Sequence, residues 1–229
     1  MRKSITLPVE DVDSFQFDQE DSTLYFAENR YDGDPVTGTP LGGHLYRMGE
    51  TGTAEVIATE RNAGIGVIAV RGGTLAYASF AAGKASYDSE SNLHVVKNGE
   101  EVRRVYVGAI AVLGLSLAPD GSIGVTTHDL GAGGTTHVFV VPRDKTGLGD
   151  GVEVSPGGDP DCRLSGITWV GEQWVALEDR LEWGGGKCRD GAHLVAIRGG
   201  AGRGAVMVGG SGVRPSGESS MLAGSGCAR

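Results

Sequence analysis

The stretch Leu113 to Val125, L-G-L-S-L-A-P-D-G-S-I-G-V, constrains this chain more than any other. Leu113, Leu115 and Leu117 alternate with small residues, Pro119-Asp120-Gly121 supplies a tight turn, and Ile123 and Val125 resume the alternation. Two runs of period two around such a turn make a β-hairpin, because proline presets φ and glycine accepts the positive φ that reverses the chain.

The same pattern recurs, altered but alignable, at Phe15–Phe26, Val67–Tyr77 and Ile167–Ala176. The residues before the four turns, Phe17, Val70, Leu117 and Trp169, are spaced 53, 47 and 52 apart, and each is expected to point inward. A third apolar run follows each hairpin, beginning at His44, Leu93, His137 and His193, and a fourth follows at Ala54–Ala58, Val102–Val107, Gly151–Val154 and Ala205–Val208. Four units of roughly 50 residues, each with four short strands, read as the blades of a β-propeller. One such sheet cannot bury both of its faces, so neighbours stack about an axis.

This reading makes the chain all-β: about four four-stranded antiparallel blades at 13–58, 65–107, 113–155 and 164–208, in a small closed or incomplete ring within one domain, 1–208. Residues 1–12, with a strand at Ile5–Val9, are the natural closing segment. The Gly-rich run 209–229 has almost no periodicity and reads as a flexible tail.

Composition narrows the function. A net charge of −9 over 229 residues disfavours a nucleic-acid partner, which needs a basic face. No apolar run approaches the roughly 18 residues needed to span a bilayer. The start, M-R-K-S-I-T-L-P-V-E-D, lacks the apolar core of a secretory signal, so the chain reads as cytoplasmic as written, or exported if a leader precedes it. Cys162, Cys188 and Cys227 are too few for a disulfide scaffold and have no zinc spacing. Cys162 precedes the first strand of the fourth unit and Cys188 lies in a loop on the same side, so a disulfide between them competes with two free thiols.

With its hairpins aligned, the chain resembles the TolB-type, WD40-like β-propeller repeat family. The resemblance is carried by Leu115–Val125, by Phe15-Gln16-Phe17-Asp18, by Leu24 to Arg30 and by Leu45-Tyr46-Arg47-Met48. It spans about residues 13–208, and it implies fold far more than activity. Family members usually have six or seven blades. Four would make this a small ring, or an incomplete one finished by a partner or a second copy as a homodimer.

The connections after the second strands carry the polar residues. They are Tyr31–Gly43, Ala81–Asn92, Leu130–Thr136 and Leu181–Ala192; three are long, and all should open on one face. The opposite turns are tight. Long loops on a rigid scaffold are where binding residues tend to sit, so this face is expected to be the working one. Tyr31, Tyr87 and Trp183 are its aromatic anchors, with Arg30 and Arg180 beside them.

Near the axis, the second strands end in Glu28-Asn29-Arg30, His128-Asp129 and Glu178-Asp179-Arg180. Glu28, Asp129, Glu178 and Asp179 are the candidate catalytic carboxylates. Glu28, His128, Asp129 and Glu178 are candidate ligands for a cation such as Ca²⁺, whose oxygen ligands can come from separated segments. Salt bridges Glu28–Arg30 and Glu178–Arg180 are the simpler reading. His44, His137 and His193 occupy matching positions, but third strands lie away from the axis, so local hydrogen bonding outweighs a shared metal. Nucleophile-elbow, zincin and P-loop motifs are absent from the sequence, and no dinucleotide fingerprint stands in a strand–turn–helix setting.

The leading function is therefore a non-catalytic module that presents its long-loop face to a protein or peptide partner, with no cofactor. The alternative is a metal-dependent small-molecule hydrolase, lactonase or lyase with a carboxylate-lined mouth.

Overall fold

The computed structural model describes residues 6–9, 12–18, 20–33, 38–81, 91–108, 111–128, 136–154, 162–180, 193–200 and 203–208. Among these residues the chain is all-β, with sixteen strands, one 3-10 turn at Leu148–Asp150 and no α-helix. The first sheet contains β1 (Ser14–Asp18), β2 (Thr23–Asp32), β3 (Thr39–Met48) and β4 (Ala54–Arg61); the second contains β5 (Ala63–Arg71), β6 (Thr74–Ala81), β7 (Ser91–Lys97) and β8 (Glu100–Gly108). The third contains β9 (Ala111–Leu117), β10 (Ile123–His128), β11 (Thr136–Val141) and β12 (Val152–Val154); the fourth contains β13 (Cys162–Val170), β14 (Gln173–Arg180), β15 (His193–Gly200) and β16 (Arg203–Val208). Within each sheet the strands are antiparallel and in chain order, and a single parallel bridge, Val154 to Ala205, links the third sheet to the fourth.

Turn chemistry explains the hairpins. Gly72 and Gly73 both have positive φ, 52° and 69°, the type I′ geometry that matches the twist of two strands. The second unit thus lacks Pro-Asp-Gly but replaces it with a Gly-Gly turn. In the third unit the turn is as the sequence suggests: Gly121 has φ 84°, its N–H donates to the Ala118 carbonyl, and Ser122 N–H donates to Asp120 Oδ1 at 2.8 Å.

The sheets stack face to face, with a core at each seam. Tyr25, Ala27 and Leu45 meet Ile65, Leu75 and Tyr77 between the first two sheets. Leu93, Val95 and Val105 meet Leu115, Ile123 and Val125 at the next seam, and Val138 meets Ile167, Trp174 and Ile197 at the last. Each fully buried aliphatic side chain contributes about 1.5–3 kcal/mol. The first strands lie side by side in chain order, β1 on β5, β5 on β9 and β9 on β13; β13 and β1 show no comparable packing among the described residues.

Several expectations change. Residues Thr6–Val9 form no strand; the chain bends at Pro8 and Val9, and Pro8, with no N–H to donate, suits that. Of the four residues before the turns, Leu117 is buried, Val70 and Trp169 are half-buried, and Phe17 is 49% exposed. Phe17 pairs with Leu24, on the face of the first sheet turned away from the second, where the described residues of β13 and β1 show no packing comparable to that of the other first strands. The connection assigned to Tyr31–Gly43 is mostly strand: β2 runs to Asp32 and β3 starts at Thr39. Cys162 begins β13 rather than preceding it, and pairs with Arg180. Residues 209–229 lie outside the described residues.

Candidate functional site

The four first strands wall one cavity of about 500 Å³. Gln16–Asp18 and Glu20 form one side, Ala69–Arg71 and Leu115–Leu117 the next two, and Thr168 and Trp169 the last. These are the strand residues nearest the tight turns, so the cavity lies at the end of the sheets opposite the connections singled out from sequence. A second hollow of about 300 Å³ shares Glu20, Arg71 and Leu117 and continues beside Pro119 and Gly121.

Its walls are tied by hydrogen bonds from sheet to sheet. Asp18, only 3% exposed, accepts from Glu20 N–H through Oδ1 and from Gly73 N–H through Oδ2, both at 3.1 Å, which joins the first sheet to the second. Arg71 Nε donates to the Leu117 carbonyl at 2.8 Å, joining the second to the third. Trp169 N–H donates to Ser116 Oγ at 3.3 Å, joining the third to the fourth. No such bond joins β13 to β1 among the described residues. The two N–H donors satisfy the buried Asp18 carboxylate. The Glu20 carboxylate and the two terminal nitrogens of Arg71 have no partner among the described residues.

A second polar cluster lies at the seam of the first two sheets. Ser79 Oγ is 2.8 Å from His94 Nε2, His94 Nδ1 is 2.6 Å from Glu101 Oε2, and Arg104 donates to both Glu101 oxygens at 3.0 Å. Tyr77 stacks on the His94 ring, centroids 4.6 Å apart, and donates its hydroxyl to Glu60 of β4 at 2.8 Å. The order serine–histidine–carboxylate is that of a nucleophilic triad. Ser79 and His94 are nonetheless 5% and 3% exposed, and through the Tyr77–Glu60 bond the cluster ties the second sheet to the first. Burial pushes the Glu101 carboxyl up, but hydrogen bonds from Arg104 and His94 outweigh it and hold it below its usual range. Burial and the Glu60 carboxylate push the Tyr77 phenol well above its usual value.

Of the residues chosen from sequence, Glu28, Arg30, Tyr31 and His128 are described with their side chains. Glu28 is half-buried on β2 and accepts from the Tyr46 hydroxyl at 2.9 Å. Arg30 is exposed on the same strand, and no ion pair forms between it and Glu28. Tyr31 donates to Asp13 Oδ1 at 3.5 Å, with its phenol raised by burial and by that carboxylate. His128 ends β10, half-buried and partnered. The backbones of Glu178, Asp179 and Arg180 end β14, opposite Leu164, Arg163 and Cys162. Asp129, Tyr87, Trp183, Cys188 and Cys227 lie outside the described residues. Local partners hold two of the matched histidines: His44 Nδ1 is 3.2 Å from Thr59 Oγ1, and His137 Nδ1 is 2.6 Å from Glu153 Oε1. Among the described residues no group of three or more metal-ligating side chains is gathered. No helix there is long and apolar enough to cross a membrane.

Sequence reasoning missed Asp18, Glu20 and Arg71. A usable signal was present, since Asp18 and Arg71 are polar residues closing aligned apolar strands just before their turns.

No family model matches the chain, and no curated protein does. Among solved structures it is similar to a GH43 glycoside hydrolase engineered to display endo-xylanase and exo-arabinofuranosidase activity, at 12% identity and TM-score 0.46, over 86% of this chain and 39% of that one. It is also similar to the acylaminoacyl peptidase of Pyrococcus horikoshii (10% identity, TM-score 0.39, 83% of this chain and 37% of that one). A third is a luciferin-regenerating enzyme (12% identity, TM-score 0.30, 75% of this chain and 85% of that one). The chain thus spans less than two-fifths of the length of the first two.

Proposed function

We propose that this chain is a propeller-type scaffold of the TolB kind, four blades of a ring left open between the first and the last, and that it works as a non-catalytic recognition module. Its partner is a protein, of which it holds a peptide segment in the cavity between the first strands. The observation that carries this reading is the cavity itself. Its volume of about 500 Å³ falls within the range of roughly 300–1,000 Å³ typical of ligand sites.

Three features support it. Gln16, Phe17, Glu20 and Thr168 are exposed, so the site is reached from solvent. Phe17 offers a large apolar surface at its mouth, the kind of side chain that dominates binding energy. The hydrogen bonds through Asp18, Arg71 and Ser116 hold the walls in place, which lowers the entropy lost when a ligand is ordered there. Of the carboxylates that a hydrolase reading would use, Glu28 accepts from the Tyr46 hydroxyl and does not line the cavity.

The test is selection of peptides from a displayed random library on the wild-type protein, followed by challenge with Gln16→Trp. Gln16 is exposed and lines the cavity, so a tryptophan there fills the space without emptying a core. The selected peptides should lose binding while circular dichroism is unchanged. Equal binding to both proteins places recognition elsewhere and ends this reading.

A further inference from the structure

Resting on the cavity as the recognition site, we propose that its ligand is anchored by a carboxylate on the Arg71 guanidinium and carries a cationic group beside that carboxylate, facing Glu20. Arg71 is held by its Nε bond to the Leu117 carbonyl, which fixes the plane of the guanidinium and leaves the end-on pair of terminal nitrogens without a partner among the described residues. That pair is a planar fork matched to the two oxygens of a carboxylate, and a guanidinium fixed in advance loses little freedom on binding.

The acidic neighbours select what accompanies the carboxylate. Asp18 is engaged by two backbone N–H groups, whereas the Glu20 carboxylate is exposed and unpaired among the described residues. Glu20 and Arg71 line both hollows yet form no ion pair with each other. Glu20 Oε2 lies 2.9 Å from where a Cβ on Gly72 would stand, which sets the carboxylate beside the turn that follows Arg71. A ligand bearing only negative charge would meet Glu20 unfavourably, in a chain whose net charge is already −9. An ammonium or guanidinium next to the ligand carboxylate turns that repulsion into a second contact. Two sources share this chemistry: a free amino acid, and the C-terminus of a peptide with a basic residue near its end.

The experiment is a titration with three probes: a pool of hexapeptides with lysine as the penultimate residue and a free C-terminus, the same pool amidated, and free lysine. The free-acid pool should bind at least tenfold more tightly than the amidated pool. Arg71→Gln and Arg71→Lys should abolish that preference, Glu20→Gln should weaken the free-acid pool, and Gln16→Trp should block it. Competition by free lysine would identify an amino acid as the source, and its failure to compete would identify a chain terminus; either outcome supports the anchor. The comparison of acid with amide needs no variant, so an unfolded Arg71→Gln does not undermine it. Equal binding of acid and amide overturns the anchor, as does binding of neither, or an acid preference that survives Gln16→Trp. Library peptides blocked by Gln16→Trp but indifferent to amidation would overturn the anchor alone and leave the recognition reading standing.

Discussion

Asn29 of β2 and Ile65 of β5 exchange two hydrogen bonds across the seam between the first and second sheets. Asn29 Nδ2 donates to the Ile65 carbonyl at 2.9 Å, and Ile65 N–H donates to Asn29 Oδ1 at 2.7 Å. The side-chain amide thus plays the part of a neighbouring strand at the point where β5 bulges away from β6 after Ile65. Gly43 makes room for it, because a Cβ there would fall on Asn29 Oδ1.

Asn29→Ala leaves a buried N–H and C=O of Ile65 without partners. It should lower stability by about 2–4 kcal/mol, since each unsatisfied buried group costs about 1–3 kcal/mol. Gly43→Ala should lower it by about 1–3 kcal/mol by displacing the same amide. Urea unfolding midpoints of the two variants and the double variant check this. The double variant should cost less than the sum, because both changes remove one interaction.

The cluster around His94 sets two pH dependences of opposite sign. The folded-state pKa of Glu101 is depressed, so its contribution to stability is present above the unfolded carboxyl value of about 4.3 and is lost as pH falls through the folded value. The folded-state pKa of Tyr77 is raised, so its contribution is full below about pH 10 and fades as pH rises beyond it. Glu101→Gln should therefore flatten the acid limb of a stability–pH curve. Tyr77→Phe should flatten the alkaline limb.

Thr126 and Thr127 are fully buried, and neither hydroxyl has a hydrogen-bond partner among the described residues. Thr127→Val should raise stability by about 1 kcal/mol, because an apolar group of the same shape carries no desolvation penalty. Thr126→Val should gain a similar amount. Thermal melts of the two variants check both.

The seam between the third and fourth sheets depends on Gly124. A Cβ there would lie 2.6 Å from Trp174 Cζ3 and 2.7 Å from Ile167 Cδ1. Gly124→Ala should cost about 1–3 kcal/mol by overpacking, and a shift in tryptophan fluorescence should accompany the loss.

The hairpins were legible because strand and turn are local: alternation marks Leu113–Leu117, and Pro119-Asp120-Gly121 ends it. The connection after β2 was misread for an equally physical reason. Gly42 and Gly43 look like loop glycines, but Gly43 is where a strand passes close to the Asn29 amide. The cavity was not legible. Asp18, Arg71, Ser116 and Trp169 are far apart in sequence, and only the stacking of four sheets brings their bonds into one wall.

Recognition in the cavity is tested most directly by locating where a ligand touches this protein. Backbone amide shifts should be recorded by NMR while the protein is titrated with a library-selected peptide. The shifts are predicted to concentrate at Gln16–Asp18, Ala69–Arg71, Leu115–Leu117 and Thr168–Trp169. Shifts gathered instead at the other end of the sheets, around Arg30, Tyr31 and His128, with the four strand ends unmoved, would contradict it.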